Sequence, residues 1–234
     1  IFQKCNAAYA KGGPEQAISM LNVNLDLNIT DYVTVDFNSI IECVDLLGGV
    51  DMEITDDEAS LMTGYIRELN ELTGNKAENL TQGGTYTLNG VQACAYARIR
   101  YGGGDDYRRT ERQRTVLTAM VKKAQQSDLT TVNKLINEVC GDIQTSFSNA
   151  ELLALASQVF QYSIGDTTGF PFTKTTKVLS KKTGDVVIPC DLSDNVKELH
   201  IFLYEDSAYT VSDTVKQNSE KIVSDTGFKS GDGH

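Results

Sequence analysis

The chain has 234 residues, 40% of them apolar and 23% charged, with three prolines, a composition that excludes a disordered or fibrous protein and suits one sizeable folded domain. Its 21 Lys and Arg stand against 32 Asp and Glu, a net charge of −11 with a pI near 4.6, which argues against a protein whose main business is gripping a nucleic-acid backbone. No apolar run approaches the ~20 residues that span a bilayer, and the chain opens without an initiator Met in the middle of a patterned segment, so any export signal, anchor or early strand would lie upstream.

From the start, Gly13-Pro14 marks the entry of a helix carrying PEQAISML, because proline is well tolerated at the first helical position. DYVTVDF alternates and is rich in β-formers, which predicts a strand over Tyr32–Phe37. Asn38 is then placed to cap the helix SIIECVDLL, which Gly48 and Gly49 stop, and VDMEI returns as a strand. From Asp56 to Leu72 the pattern is helical, with Leu61, Tyr65, Leu69 and Leu72 on one line. GGTYTLNG supplies a short extended piece and a turn, VQACAYARI a short helix, and the sequence is helical again from Asp106 to about Ala124. LTTVNKLINEVCG and AELLALASQVFQY follow as helices, the second opened by a capping box from Ser148 to Glu151. KVLS and DVVIPC are late strands, LSDNVKELHIFLY is a helix, and a last helix lies between Ser212 and Gly227. Helix and strand alternate without an internal repeat, which predicts a single α/β domain over residues 1–234, with a core at 1–125 and further helices and strands at 126–234.

Five cysteines, Cys5, Cys43, Cys94, Cys140 and Cys190, are widely spaced, with no CxxC and no histidine at metal-ligand spacing; they read chiefly as small buried hydrophobes rather than a zinc site. His200 and His234 are the two histidines, so imidazole bases for a nucleophilic triad are scarce, and no GxSxG elbow, Walker loop or GxGxxG turn is present.

What stands out is ARIRYGGGDDYRRTERQR, residues 97–114, which holds six of the seven arginines and sums to +3 in an acidic chain. On a helix starting near Asp106, Arg108 and Arg109 share neighbouring surface with Arg112, close to unpaired N–H groups and a partial positive charge. Arg98 and Arg100, two apart, point the same way on extended backbone, and the glycine run lets the chain turn between the two groups. Arginine's planar fork suits phosphate oxygens. Two accounts stand on the residues alone: an anion site at a helix start, and a salt-bridged helix surface in which Arg108, Arg112 and Arg114 pair with Glu111 and nearby acids. Asp105 and Asp106 are likewise open between helix capping and chemistry.

YARIR followed by GDDYRRTERQ resembles the signature of the LytR-CpsA-Psr family, an Arg-x-Arg, a variable loop, then Asp-aromatic-x-Arg-x-x-Arg-Gln. KCNAAYAKGGPEQAI, DYVTVDFNSIIECVDLLGGVDMEI and GTYTLNGVQACAYARIR resemble further blocks of that family in the same order, from Lys4 to about Gln113. The resemblance implies a mixed central β-sheet flanked by helices, with a long apolar cleft for a polyprenyl chain whose pyrophosphate lies at the arginines. It implies a phosphotransferase that moves a glycopolymer, of teichoic acid or capsular polysaccharide type, from a polyprenyl-pyrophosphate carrier to peptidoglycan, with pyrophosphatase chemistry within reach of the same site. It also implies an extracytoplasmic location, a membrane tether upstream of this chain and a requirement for Mg²⁺.

Carried over by position, Arg98, Arg100, Arg109, Arg112 and Gln113 match the pyrophosphate-binding residues. Arg98 and Arg109 are expected to carry catalysis together with Asp106, which would act as general base for the incoming hydroxyl or orient an arginine. Asp105 is a rival for that part, and Arg108 stands where the family often has glycine. The family's usual metal-binding aspartates lie on strands before the Asn-Ala-Ala-Tyr block, so no metal ligand is assigned in this chain. Two other readings are kept: a polyprenyl-phosphate-binding module without catalysis, and a regulator that binds nucleic acid, which the net charge opposes.

Overall fold

The computed structural model describes residues 4–100, 106–139, 143–181 and 183–233. The chain divides into two compact units, one made of Ile1–Tyr32 with Thr168–His234 and the other of Val33–Thr167. The sequence-predicted α/β class is what the structure shows, and the described strands pair antiparallel in three two-stranded ladders. None of these pairs has the parallel neighbour that a mixed sheet requires.

In the unit Val33–Thr167, β1 (Val33–Thr34) pairs with β4 (Gln144–Thr145). The predicted strand over Tyr32–Phe37 shrinks to these two residues because Asp36, not Asn38, caps α2 (Phe37–Leu46): its side chain accepts from the Ser39 N–H at 2.8 Å and draws Phe37 into the helix. α2 ends before Gly48 and Gly49, both at positive φ, where a side chain is disfavoured. β2 (Val50–Ile54) pairs with β3 (Gly84–Leu88). β2 buries Val50, Met52 and Ile54 and exposes Asp51 and Glu53, the period of two of a half-buried strand.

Between these strands runs α3 (Asp56–Thr73), opened by a reciprocal capping box of Thr55 and Glu58 and ended by Gly74 at positive φ. Its buried line is Ala59, Met62, Ile66 and Leu69. Leu61 and Tyr65 sit at the edge of that line, and Leu72, in the last turn, is 65% exposed. α4 (Gly90–Arg98), α5 (Asp106–Gln126), α6 (Leu129–Val139), α7 (Asn149–Ser157) and a single 3₁₀ turn (Val159–Gln161) complete the unit. The Ser148–Glu151 capping box is present. The core joins Val44, Val50, Met62, Ile66, Leu88 and Ile99, each at most 1% exposed, with their neighbours on the same elements.

In the other unit, α1 (Ala7–Leu25) is kinked at Gly12 and Gly13, which have non-helical dihedrals, so Pro14 stands at the start of the second segment as predicted. β5 (Lys174–Ser180) pairs with β6 (Gly184–Pro189), and α8 (Leu192–Tyr204) packs on α9 (Asp213–Thr226) around Leu192, Val196 and Val215. Cys94 and Cys190 are buried as expected, but Cys43 is half-buried and Cys5, beside the start of α1, is exposed. Cys140 and His234 lie outside the described residues.

Candidate functional site

α4 ends in the Arg98–Ile99–Arg100 segment, so the elements that hold α4 place the first two candidate arginines. Asn89 caps it, accepting from the Gln92 N–H at 3.0 Å while the Gln92 side chain accepts from the Asn89 N–H at 3.1 Å. Asp45, in the last turn of α2, accepts from the Gly90 N–H at 2.7 Å. Gly90 lies so close to α2 that a Cβ there would stand 2.2 Å from the Ile41 carbonyl oxygen. The helix packs on α2, α3 and α5, and Ile99, immediately after it, is fully buried.

Arg98 is clamped on three sides. Its Nη2 donates to Glu68 Oε1 at 2.9 Å, and its guanidinium carbon stands 4.8 Å from the centre of the Phe37 ring and 5.5 Å from that of Tyr65. Aromatic faces attract a cation, and a carboxylate fixes the plane of the fork. Nη1 is buried and has no hydrogen-bond partner among the described residues. A buried donor left without an acceptor costs ~1 to 3 kcal/mol.

Arg112 is placed differently. It is 8% exposed; its Nε donates to Glu58 Oε1 at 3.2 Å and its Nη1 to the Ile99 carbonyl at 3.4 Å, with the Tyr96 ring centre 5.9 Å away. The bond to Ile99 joins the two halves of the arginine island through the backbone of the Arg-x-Arg itself. The remaining candidates lie on the same elements: Arg100 just beyond α4 and exposed, Arg109 half-buried on α5, and Arg108 and Gln113 exposed on α5. α5 begins at Asp106, as the sequence predicts. Its carboxyl, and all of Asp105, lie outside the described residues.

Sequence reasoning did not single out Glu58, Glu68, Phe37 or Tyr65 as partners of the arginines. Of these, only Glu58 carried a local signal, the Thr55-x-x-Glu58 box, and that signal speaks of helix capping rather than of an arginine 54 residues away. Burial pushes the Tyr96 phenol up, and the Glu58 carboxylate adds to the shift. The Cys94 thiol in α4 is pushed up to about 12, chiefly by burial, with the Arg98 charge opposing the shift and the Asp45 charge adding to it.

Among the described residues no three His, Cys, Asp or Glu side chains gather where a metal ion could be held. No helix among the described residues is long and apolar enough to cross a membrane.

The model of the LytR_cpsA_psr family matches residues 2–179. The chain belongs to the LytR-CpsA-Psr family. Among its relatives, the polyisoprenyl-teichoic acid–peptidoglycan teichoic acid transferase TagV of Bacillus subtilis is 29% identical over 154 residues, 65% of this chain and 37% of TagV. The polyisoprenyl-teichoic acid–peptidoglycan teichoic acid transferase TagU of Halalkalibacterium halodurans is 31% identical over 144 residues, 61% of this chain and 42% of that protein. This LytR-CpsA-Psr chain therefore matches less than half the length of either. The crystal structure of B. subtilis TagV superposes with a TM-score of 0.65 at 24% identity, covering 89% of this chain and 76% of that one. A structure described as TagT bound to LI-WTA does so at 0.56 and 19% identity, covering 96% and 71%. Both likenesses concern the fold, and they agree with the LytR-CpsA-Psr assignment.

Proposed function

We propose that this chain is the transferring part of a glycopolymer phosphotransferase, which moves a teichoic acid or capsular polysaccharide type polymer from a polyprenyl-pyrophosphate carrier to peptidoglycan. The observation that carries the reading is the buried, unpartnered Nη1 of Arg98, held in place by Glu68, Phe37 and Tyr65. The relatives TagV and TagU, polyisoprenyl-teichoic acid–peptidoglycan teichoic acid transferases, support the substrate class. The extracytoplasmic location, the membrane tether and the dependence on Mg²⁺ belong to the same proposal.

In this reaction an acceptor sugar hydroxyl attacks the phosphorus that bears the polymer. A new P–O bond forms, the bridging P–O bond of the pyrophosphate breaks, and polyprenyl phosphate leaves. The hydroxyl proton passes to a base, for which Asp106 is the proposed residue. Phosphoryl transfer asks the protein mainly for positioning and for cations where charge grows on the phosphate oxygens. Arg98, Arg100 and Arg109, with Gln113, are proposed to supply these donors. The polymer phosphate and the leaving phosphate are then both neutralised from α4 and α5.

The test is made in the full-length protein, with a polyprenyl-pyrophosphate-linked substrate and a peptidoglycan acceptor. Arg98→Ala and Arg109→Ala are each expected to abolish transfer with the thermal midpoint little changed, a loss of about a hundredfold or more for one removed transition-state donor. Wild-type rates in either folded variant would sink the assignment.

A further inference from the structure

We propose that Arg112 and Glu58 are a positioning pair that sets the Arg98–Ile99–Arg100 segment, and that Arg112 acts on the pyrophosphate through that segment rather than as a ligand to it. The inference rests on the functional reading above for its ligand, but its geometry stands apart from it. Arg112 is nearly as buried as the core, and two of its guanidinium nitrogens are directed at protein acceptors. One of these is the carbonyl of the residue between the two candidate pyrophosphate arginines. Ile99 is itself fully buried, so the Arg-x-Arg is held at its centre by a side chain in the core and by a backbone bond to α5.

Glu58 makes this possible because it uses both carboxylate oxygens. Oε2 accepts from the Thr55 N–H and from Thr55 Oγ1, each at 3.1 Å, closing the N-terminus of α3. Oε1 accepts from Arg112 Nε at 3.2 Å. Helix start and guanidinium are thus tied to one rigid group. With both partners largely buried, at 9% and 15% side-chain exposure, removing either charge strands the other. A salt-bridged helix surface would pair Arg112 with Glu111 or another nearby acid in solvent. Instead it sits under α4, where a displacement of about 1 Å at Ile99 moves both flanking arginines together.

Two variants separate the accounts. Glu58→Gln keeps an acceptor for the capping box, which takes Gln as well as Glu, but its amide has one acceptor oxygen where the carboxylate uses two, and its NH₂ opposes a donor. Arg112→Lys keeps the charge and loses the fork that reaches Glu58 and Ile99 at once. Inorganic pyrophosphate is the probe, bound to the full-length protein well below its thermal midpoint. Each variant is expected to weaken binding by roughly tenfold, and the double variant no more than the worse single, as for two residues acting as a unit. Hydrogen exchange in the peptide spanning 96–100 is expected to rise in both, with exchange in the middle of α3 unchanged.

If Arg112 were a pyrophosphate ligand, Glu58 would compete for it, and Glu58→Gln would bind pyrophosphate as well as wild type or more tightly; that result overturns the pair. Unchanged exchange at 96–100 in both variants also overturns it. Should wild-type protein fail to bind pyrophosphate, the functional reading falls, and the exchange measurement alone then upholds or rejects the positioning role.

Discussion

A methyl group at position 90 has nowhere to go. It would meet the Ile41 carbonyl oxygen at 2.2 Å and the Ile41 Cα at 2.5 Å, and both belong to backbone that cannot swing aside as a side chain does. Gly90→Ala is therefore expected to cost about 1 to 3 kcal/mol despite the better helix propensity of alanine, read as a lower urea midpoint at unchanged slope. Because α4 carries Arg98, the variant should also lose transfer more than its folded fraction explains. At this scale the sequence was legible for residue type and much less so for role. The crowding of arginine into residues 97–114 was visible at once, and α5 starts where the Asp-aromatic-x-Arg motif suggests. That Arg98 would be caged and Arg112 buried was not visible, because their partners Glu68 and Glu58 lie 30 and 54 residues away, and nothing in a local pattern reports a contact of that span.

Elements were readable where local chemistry decides them. VDMEI alternates and forms β2, and the Thr55 and Ser148 boxes open α3 and α7. Misreadings came where two local signals compete. DYVTVDFN offers both a β-rich run and two helix caps, and Asp36 takes the cap because its carboxylate reaches both the N–H and the Oγ of Ser39, at 2.8 and 3.0 Å. Those bonds hold the Asp36 carboxyl below the usual aspartate range. Replacing it tests the point directly: Asp36→Ala should destabilise the unit by about 1 kcal/mol, as a lost N-cap does, whereas exposed Asn38→Ala should change stability by less than about 0.5 kcal/mol. Equal effects in chemical denaturation would restore Asn38 as the cap. Apolarity alone does not mark the covered face of α3 either. Leu61, Tyr65 and Leu72 look as apolar as Met62 and Ile66, and only the position of β2 and β3 tells which line is covered.

Over the whole molecule, one carboxylate ties distant parts of the chain together. Asp26, the left-handed C-cap of α1, accepts from the Tyr209 hydroxyl, from the Ser212 N–H at 2.8 Å and from Ser212 Oγ at 2.7 Å. Beside it His200 stacks on the Tyr209 ring, 3.6 Å between centres, and donates from Nε2 to the Leu25 carbonyl at 2.9 Å. Desolvation pushes the Asp26 carboxyl up, but the bonds from Tyr209 and Ser212 outweigh it and hold it below its ordinary value. A carboxylate depressed on folding contributes stability that is complete above the unfolded value of about 3.9 and is lost as pH falls through the folded one. Asp26→Asn should accordingly flatten the decline of the thermal midpoint between about pH 4 and pH 2 and lower the midpoint at neutral pH; superimposable acid limbs would count against this role. No sequence pattern announces this clasp, since its members are 183 and 186 residues apart.

The division of the chain also sets an order of events in time. Val33–Thr167 is a continuous segment, so all of its internal contacts become available once residue 167 has been synthesised. Asp26 precedes Tyr209 by 183 residues, so its partner follows it in synthesis. The unit that joins residues on both sides of that segment is therefore expected to close after Val33–Thr167, because its pairings span the longer stretch of chain.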